Sequence, residues 1–100
     1  MLSQRQLFLQ HVAQTSDAPL MLEIVRAKGM YLYDKNDKAY LDLIAGISVS
    51  NLGHCHPKVV AAVQKQASQY MHLMVYGEYV YAPQVELATL LTQQLPKSLN

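Results

Sequence analysis

Apolar residues change their spacing along the chain, and each change marks a different element. From Ser3 to about Gln14 they fall at helical intervals, with Leu7, Phe8, Val12 and His11 on one face and Ser3 placed to cap the first turn. Thr15 to Pro19 reads as a linker, because proline biases the residue before it toward an extended shape. The pattern then becomes strand-like. Leu22–Ala27, Met30–Tyr33 and Ala39–Leu43 are short runs rich in Ile, Val, Tyr and Leu, separated by Lys28-Gly29 and by Asp34 to Lys38. Two successive hairpins predict an antiparallel meander over about residues 22–43. In its last strand Tyr40 and Asp42 share one face and Leu41 and Leu43 the other, so one face packs and the other meets polar groups.

Residues 44–56 contain two glycines and keep no clean period, which predicts an irregular loop. Pro57 suits the first position of a helix, and Val59, Val60, Val63, Ala67, Tyr70, Met71 and Met74 continue it to about Leu73 as an amphipathic stripe. A connection from Val75 to Ala82 carries Tyr76, Tyr79 and Tyr81. Pro83 opens a last helix over about 83–95, with Val85, Ala88, Leu91 and Leu95 on its apolar side and Pro96 as its stop. The fold class is α+β: a helix, a three-stranded antiparallel meander and two further helices. Two free sheet edges and two unmatched helix stripes also predict that the chain self-associates when alone.

Composition narrows the partners. The chain is 51% hydrophobic and 15% charged with a formal net charge of +1, so it offers no basic face for nucleic acid and no cluster for a membrane surface. Its longest apolar stretches are interrupted well short of the roughly 20 residues a bilayer requires, and no secretory signal pattern opens it. A single cysteine, Cys55, forbids an internal disulfide and fits a reducing cytosol.

The densest chemistry is Gly53-His54-Cys55-His56. A metal site needs three or four convergent ligands, whereas Cys55 would point away from its neighbours in an extended loop and His72 lies on the order of 24 Å along the helix. The favoured reading has His56 capping the helix, His54 bonded to loop backbone and Cys55 as a small buried filler. No metal site and no cysteine nucleophile are expected. An irregular glycine-containing loop between a strand and a helix is, however, where ligand contacts tend to lie.

Taken in order, Gly29-Met30-Tyr31-Leu32-Tyr33-Asp34, Lys38-Ala39-Tyr40-Leu41-Asp42-Leu43, Ala45-Gly46-Ile47-Ser48-Val49, Asn51 to Pro57, and Pro83-Gln84-Val85 resemble the opening of class III aminotransferases, the relatives of acetylornithine, ornithine and 4-aminobutyrate aminotransferases. The resemblance covers about residues 22–96 and is most specific from Gly46 to Pro57. It implies a fold type I, pyridoxal-phosphate-dependent homodimer acting on an amino acid and a 2-oxo acid. It also implies that this chain stops before the phosphate cup and the Schiff-base lysine, so that none of its own lysines is catalytic and the segment alone is inactive. By the same resemblance Ile47 lines the substrate end of the pocket, where ornithine enzymes carry tyrosine, Gly46 and Ser48 shape the same wall, and Tyr76 approaches the cofactor phosphate or the dimer partner. At the second hairpin the family usually has glycine and this chain has Asn36-Asp37, which tolerate positive φ at some cost. The competing reading is a free-standing interaction module that keeps the family motifs and binds a partner through its two C-terminal helices.

Overall fold

The computed structural model describes residues 1–74 and 76–99. It divides into two compact units, Met1–Gln64 and Lys65–Asn100.

The first unit opens with α1 (Gln4–His11), closed at its start by a reciprocal cap in which Gln6 N–H donates to Ser3 Oγ at 3.3 Å and Ser3 N–H to Gln6 Oε1 at 2.8 Å. The helix stops at His11 instead of continuing to about Gln14. There Phe8 O accepts the last main-chain bond, from Val12 N–H at 3.0 Å, and the Gln14 amide folds back to donate to the carbonyls of Phe8 and Val12 at the helix end. β1 (Ile24–Lys28), β2 (Tyr31–Asp34) and β3 (Ala39–Leu41) form an antiparallel sheet in the order β1-β2-β3. A bulge between Ile24 and Arg26 bends β1. Ion pairs brace this unit: Glu23 receives Arg5 of α1 at 3.0 Å and Lys35 at 2.6 Å, and Arg26 pairs with Asp37 while lying 3.5 Å above the Tyr33 ring.

The β2–β3 turn is built by Asp34, whose Oδ1 accepts the N–H groups of Asn36 and Lys38 and whose Oδ2 accepts the Tyr40 hydroxyl. Withdrawal from water opposes ionisation of Asp34, yet these three donors prevail and hold its carboxyl below the ordinary value. Asp37 takes φ +65°, the conformation that glycine would otherwise supply.

After β3 comes α2 (Ala45–Ser48), a single turn whose backbone leaves the right-handed helical range and which stays within the irregular loop, then α3 (Pro57–Gln69), α4 (Ala82–Gln93) and a 3-10 turn, Lys97–Leu99. In the second unit α3 ends at Gln69, short of Leu73, as the Gln66 side chain donates to the Tyr70 carbonyl and the Tyr70 ring turns edge-on to Tyr81, 6.3 Å between centroids. Pro83 lies in the first turn of α4. Val75, where the connection before α4 is expected to begin, and Asn100 lie outside the described residues.

No described residue of either unit is buried. The alternation in β3 decides which face is used: Tyr40 and Asp42 are half-buried among polar partners, while Leu41 and Leu43 are 52% and 85% exposed. Apolar faces left open on this scale require a covering surface that these residues do not provide for themselves.

Candidate functional site

The loop between β3 and α3 is fixed at both ends. Asp42 N–H donates to Met30 O at 2.8 Å, continuing the β2–β3 pairing one step past the strand. At the far end His54 and Gly29 exchange two main-chain hydrogen bonds, at 3.0 and 2.8 Å, as a single antiparallel bridge. Gly53 permits that approach. Its φ is +82°, and a Cβ there would stand 3.1 Å from Gly29 O, which the paired backbone cannot easily yield.

One carboxylate joins the two ends. Asp42 Oδ1 accepts the N–H groups of Ile44 at 3.0 Å and Ala45 at 2.9 Å, and Oδ2 lies 2.6 Å from His54 Nε2. With its side chain only 9% exposed, Asp42 is held below the ordinary carboxylate range, first by the His54 hydrogen bond and next by the Ala45 amide. The His54 ring therefore meets a carboxylate and not loop backbone, contrary to the sequence expectation. Periodicity does not reveal Asp42 and His54 as a pair, because they are twelve residues apart. The signal the sequence does carry is that both flank the glycine-containing loop and that Asp42 continues the polar face of β3.

Between these anchors the chain makes a left-handed turn. Ala45, Gly46, Ile47 and Ser48 have φ of +50°, +61°, +62° and +62°. For an L-residue this region costs roughly 1–2 kcal/mol each, and a β-branched residue is the least expected there. Bonds from Val49 N–H and Ser50 N–H to Ala45 O, at 2.8 and 2.9 Å, close the turn. The structure thus places Gly46, Ile47 and Ser48 together, with Ile47 86% exposed. Strained, exposed and doubly anchored backbone of this kind is characteristic of ligand-contacting loops. Tyr76 belongs to the second unit, where it has φ +64° and is 92% exposed.

The two remaining residues of the His-Cys-His run also depart from expectation. Cys55 is exposed at φ +53° and fills no cavity. His56 accepts the Val60 N–H through its main-chain carbonyl at 3.0 Å, as the residue before a helix does, but its Nδ1 is buried without a partner and makes no cap. His54 and His56, with Leu52, Val60 and Val63, line an open cleft of about 680 Å³. Among the described residues no three His, Cys, Asp or Glu side chains are grouped so as to hold a metal ion.

Comparison with solved structures gives this arrangement its class. The chain resembles acetylornithine aminotransferase from Elizabethkingia anophelis with a TM-score of 0.75 and 28% identity, over 88% of this chain and 22% of that one. It resembles the omega transaminase of Pseudomonas jessenii, solved in complex with PMP, with a TM-score of 0.83 and 25% identity, over 95% of this chain and 22% of that one. The helix, meander and anchored loop are a segment of the fold type I aminotransferase architecture. In sequence the chain is 47% identical over 74 residues to acetylornithine aminotransferase of Methanocaldococcus jannaschii, covering 74% of this chain and 18% of that protein. Residues 12–100 match aminotransferase class-III, and the chain belongs to that family, corresponding to its N-terminal segment. It spans only 18% to 22% of the length of these relatives.

Proposed function

We propose that this chain is the N-terminal part of a pyridoxal-phosphate-dependent aminotransferase that moves an amino group from an amino acid or ω-amino compound to a 2-oxo acid. The observation that carries the reading is the left-handed turn with Ile47 exposed at its tip, in a chain of the class III family. Ile47 is the apolar wall at the substrate end. It packs against the aliphatic part of the donor, excludes water there and offers no acceptor for a charged ω-ammonium, which disfavours free ornithine. Gly46 and Ser48 shape the same wall, and Tyr76 stands toward the cofactor phosphate or the partner subunit of a homodimer.

This reading assigns no Schiff-base lysine to residues 1–100. Lys35 is engaged by Glu23, Lys38 lies over the Tyr40 ring, and Tyr76 is almost fully exposed. When bound, the cofactor supplies an electron sink for reaction at the amino-bearing carbon. On this reading the Schiff-base lysine and the phosphate cup are supplied by a parent aminotransferase outside these 100 residues. No described helix is long and apolar enough to cross a membrane, and the cytosol is the proposed location.

The test compares half-reaction rates and cofactor absorbance for the 100-residue chain, the full-length protein and its Ile47→Tyr variant. The full-length protein transaminates, the variant shifts in donor preference with unchanged cofactor absorbance, and the chain alone shows only the free cofactor's background. A reading frame that ends without a phosphate cup or lysine, or a catalytically competent 100-residue chain, overturns the proposal.

A further inference from the structure

We infer that Asp42 and His54 form a clamp that positions the Ile47 turn, so that this pair, together with Ile47, sets the length of amino donor the site accepts. The inference rests on the reading of that turn as the substrate wall. Neither residue touches the donor in this scheme; both are positioning residues.

The geometry places every anchor of the loop on one carboxylate and one β-turn. Asp42 Oδ1 takes the two amides that open the left-handed turn, and its Oδ2 takes His54 Nε2 from the loop's other end, twelve residues away. The main chains of the same two residues are bonded to Met30 and Gly29, in the turn that joins β1 to β2. Ala45, Ile47 and Ser48 would relax toward negative φ if the clamp opened, and a change of that dihedral at Ile47 swings its side chain away from the position it now holds. A compact loop whose ends are joined this closely moves as a unit, so loss of one anchor is felt at its tip. The Asp42 to His54 bond joins an ionised acceptor to a ring nitrogen at 2.6 Å, in a place where the carboxylate has little water to replace it.

The test uses the holoenzyme that carries this chain and compares Asp42→Asn and His54→Ala with His54→Gln, whose Nε2–H reaches about the position of the lost donor. Two readouts are taken: amide hydrogen exchange across residues 43–53, and kcat/KM for a long donor such as N-acetylornithine against a short one such as alanine. Expected in Asp42→Asn and His54→Ala are exchange faster by about tenfold or more and a long-donor loss exceeding the short-donor loss by about tenfold, carried in KM. His54→Gln restores both to within about threefold. Equal losses for the two donors, following thermal stability and not rescued by Gln, mean a merely structural pair and overturn the inference, as do unchanged amides. A wild-type holoenzyme inactive toward every donor, with amides that still respond, removes the aminotransferase reading and leaves the loop anchor.

Discussion

Replacing Ile47 by glycine separates what the side chain does for the fold from what it does for the site. In the structure Ile47 sits at φ +62° and is 86% exposed, so it carries conformational strain without compensating burial. Removing the branched Cβ relieves roughly 1–2 kcal/mol, and the added freedom of the unfolded chain returns about 0.5–1 kcal/mol of that. Ile47→Gly is therefore expected to stabilise the protein by about 0.5–1 kcal/mol. Ile47→Val, which keeps the branch and the strain, is expected to change stability by less than about 0.5 kcal/mol. The site should respond in the opposite sense. Loss of an apolar wall worth about 1.5–3 kcal/mol of contact with the donor lowers kcat/KM by roughly ten- to a hundredfold. Urea unfolding of both variants, together with half-reaction kinetics, reads the two effects separately. Destabilisation of Ile47→Gly by more than about 1 kcal/mol would refute the strain argument. Unchanged donor kinetics would refute the assignment of the wall.

Gly53→Ala is expected to cost about 2–4 kcal/mol, since a disfavoured φ is joined by a 3.1 Å approach to Gly29 O and by weakening of the Gly29–His54 bridge. Gly29→Ala, at φ +57° with open space around its Cβ, should cost only about 1–2 kcal/mol, and equal effects in denaturant titration would contradict the close approach. Glu23, Asp34 and Asp42 are all held below their ordinary values in the folded chain, so they bind fewer protons folded than unfolded. Their stabilisation is complete above the unfolded values near pH 4 and is lost as pH falls through the lower folded values. Circular dichroism between pH 6 and 2 should show that loss, with a smaller acid-dependent change in Asp42→Asn. The 100-residue chain alone should self-associate and bind an apolar dye, because Leu43, Val80 and Met71 are 85%, 91% and 87% exposed. A monodisperse, dye-silent monomer in light scattering would contradict this.

Period and punctuation in the sequence determined the local order of the fold. Ser3 caps the first helix, Lys28-Gly29 and the run from Asp34 to Lys38 turn the chain between antiparallel strands, and Pro57 and Pro83 sit in the opening turns of α3 and α4. These features are legible because they depend on neighbours a few residues apart. The ordered motifs from Gly29 to Pro57 also carried the family, which residues 12–100 match. Helix ends were less legible, since Gln14 and Gln66 terminate helices through side-chain bonds that no periodicity reveals. The candidate site lay further from reach. Ile47 could be named from the resemblance, but its positive φ, its exposure and the carboxylate that anchors its turn come from pairing Asp42 with His54 and Gly29 with His54 across distant positions. Such pairs form only after the meander brings the β1–β2 turn beside the end of β3. The conformation of Ile47 is therefore a property of the tertiary structure, because a left-handed turn that local sterics disfavour persists only where long-range bonds outweigh its strain.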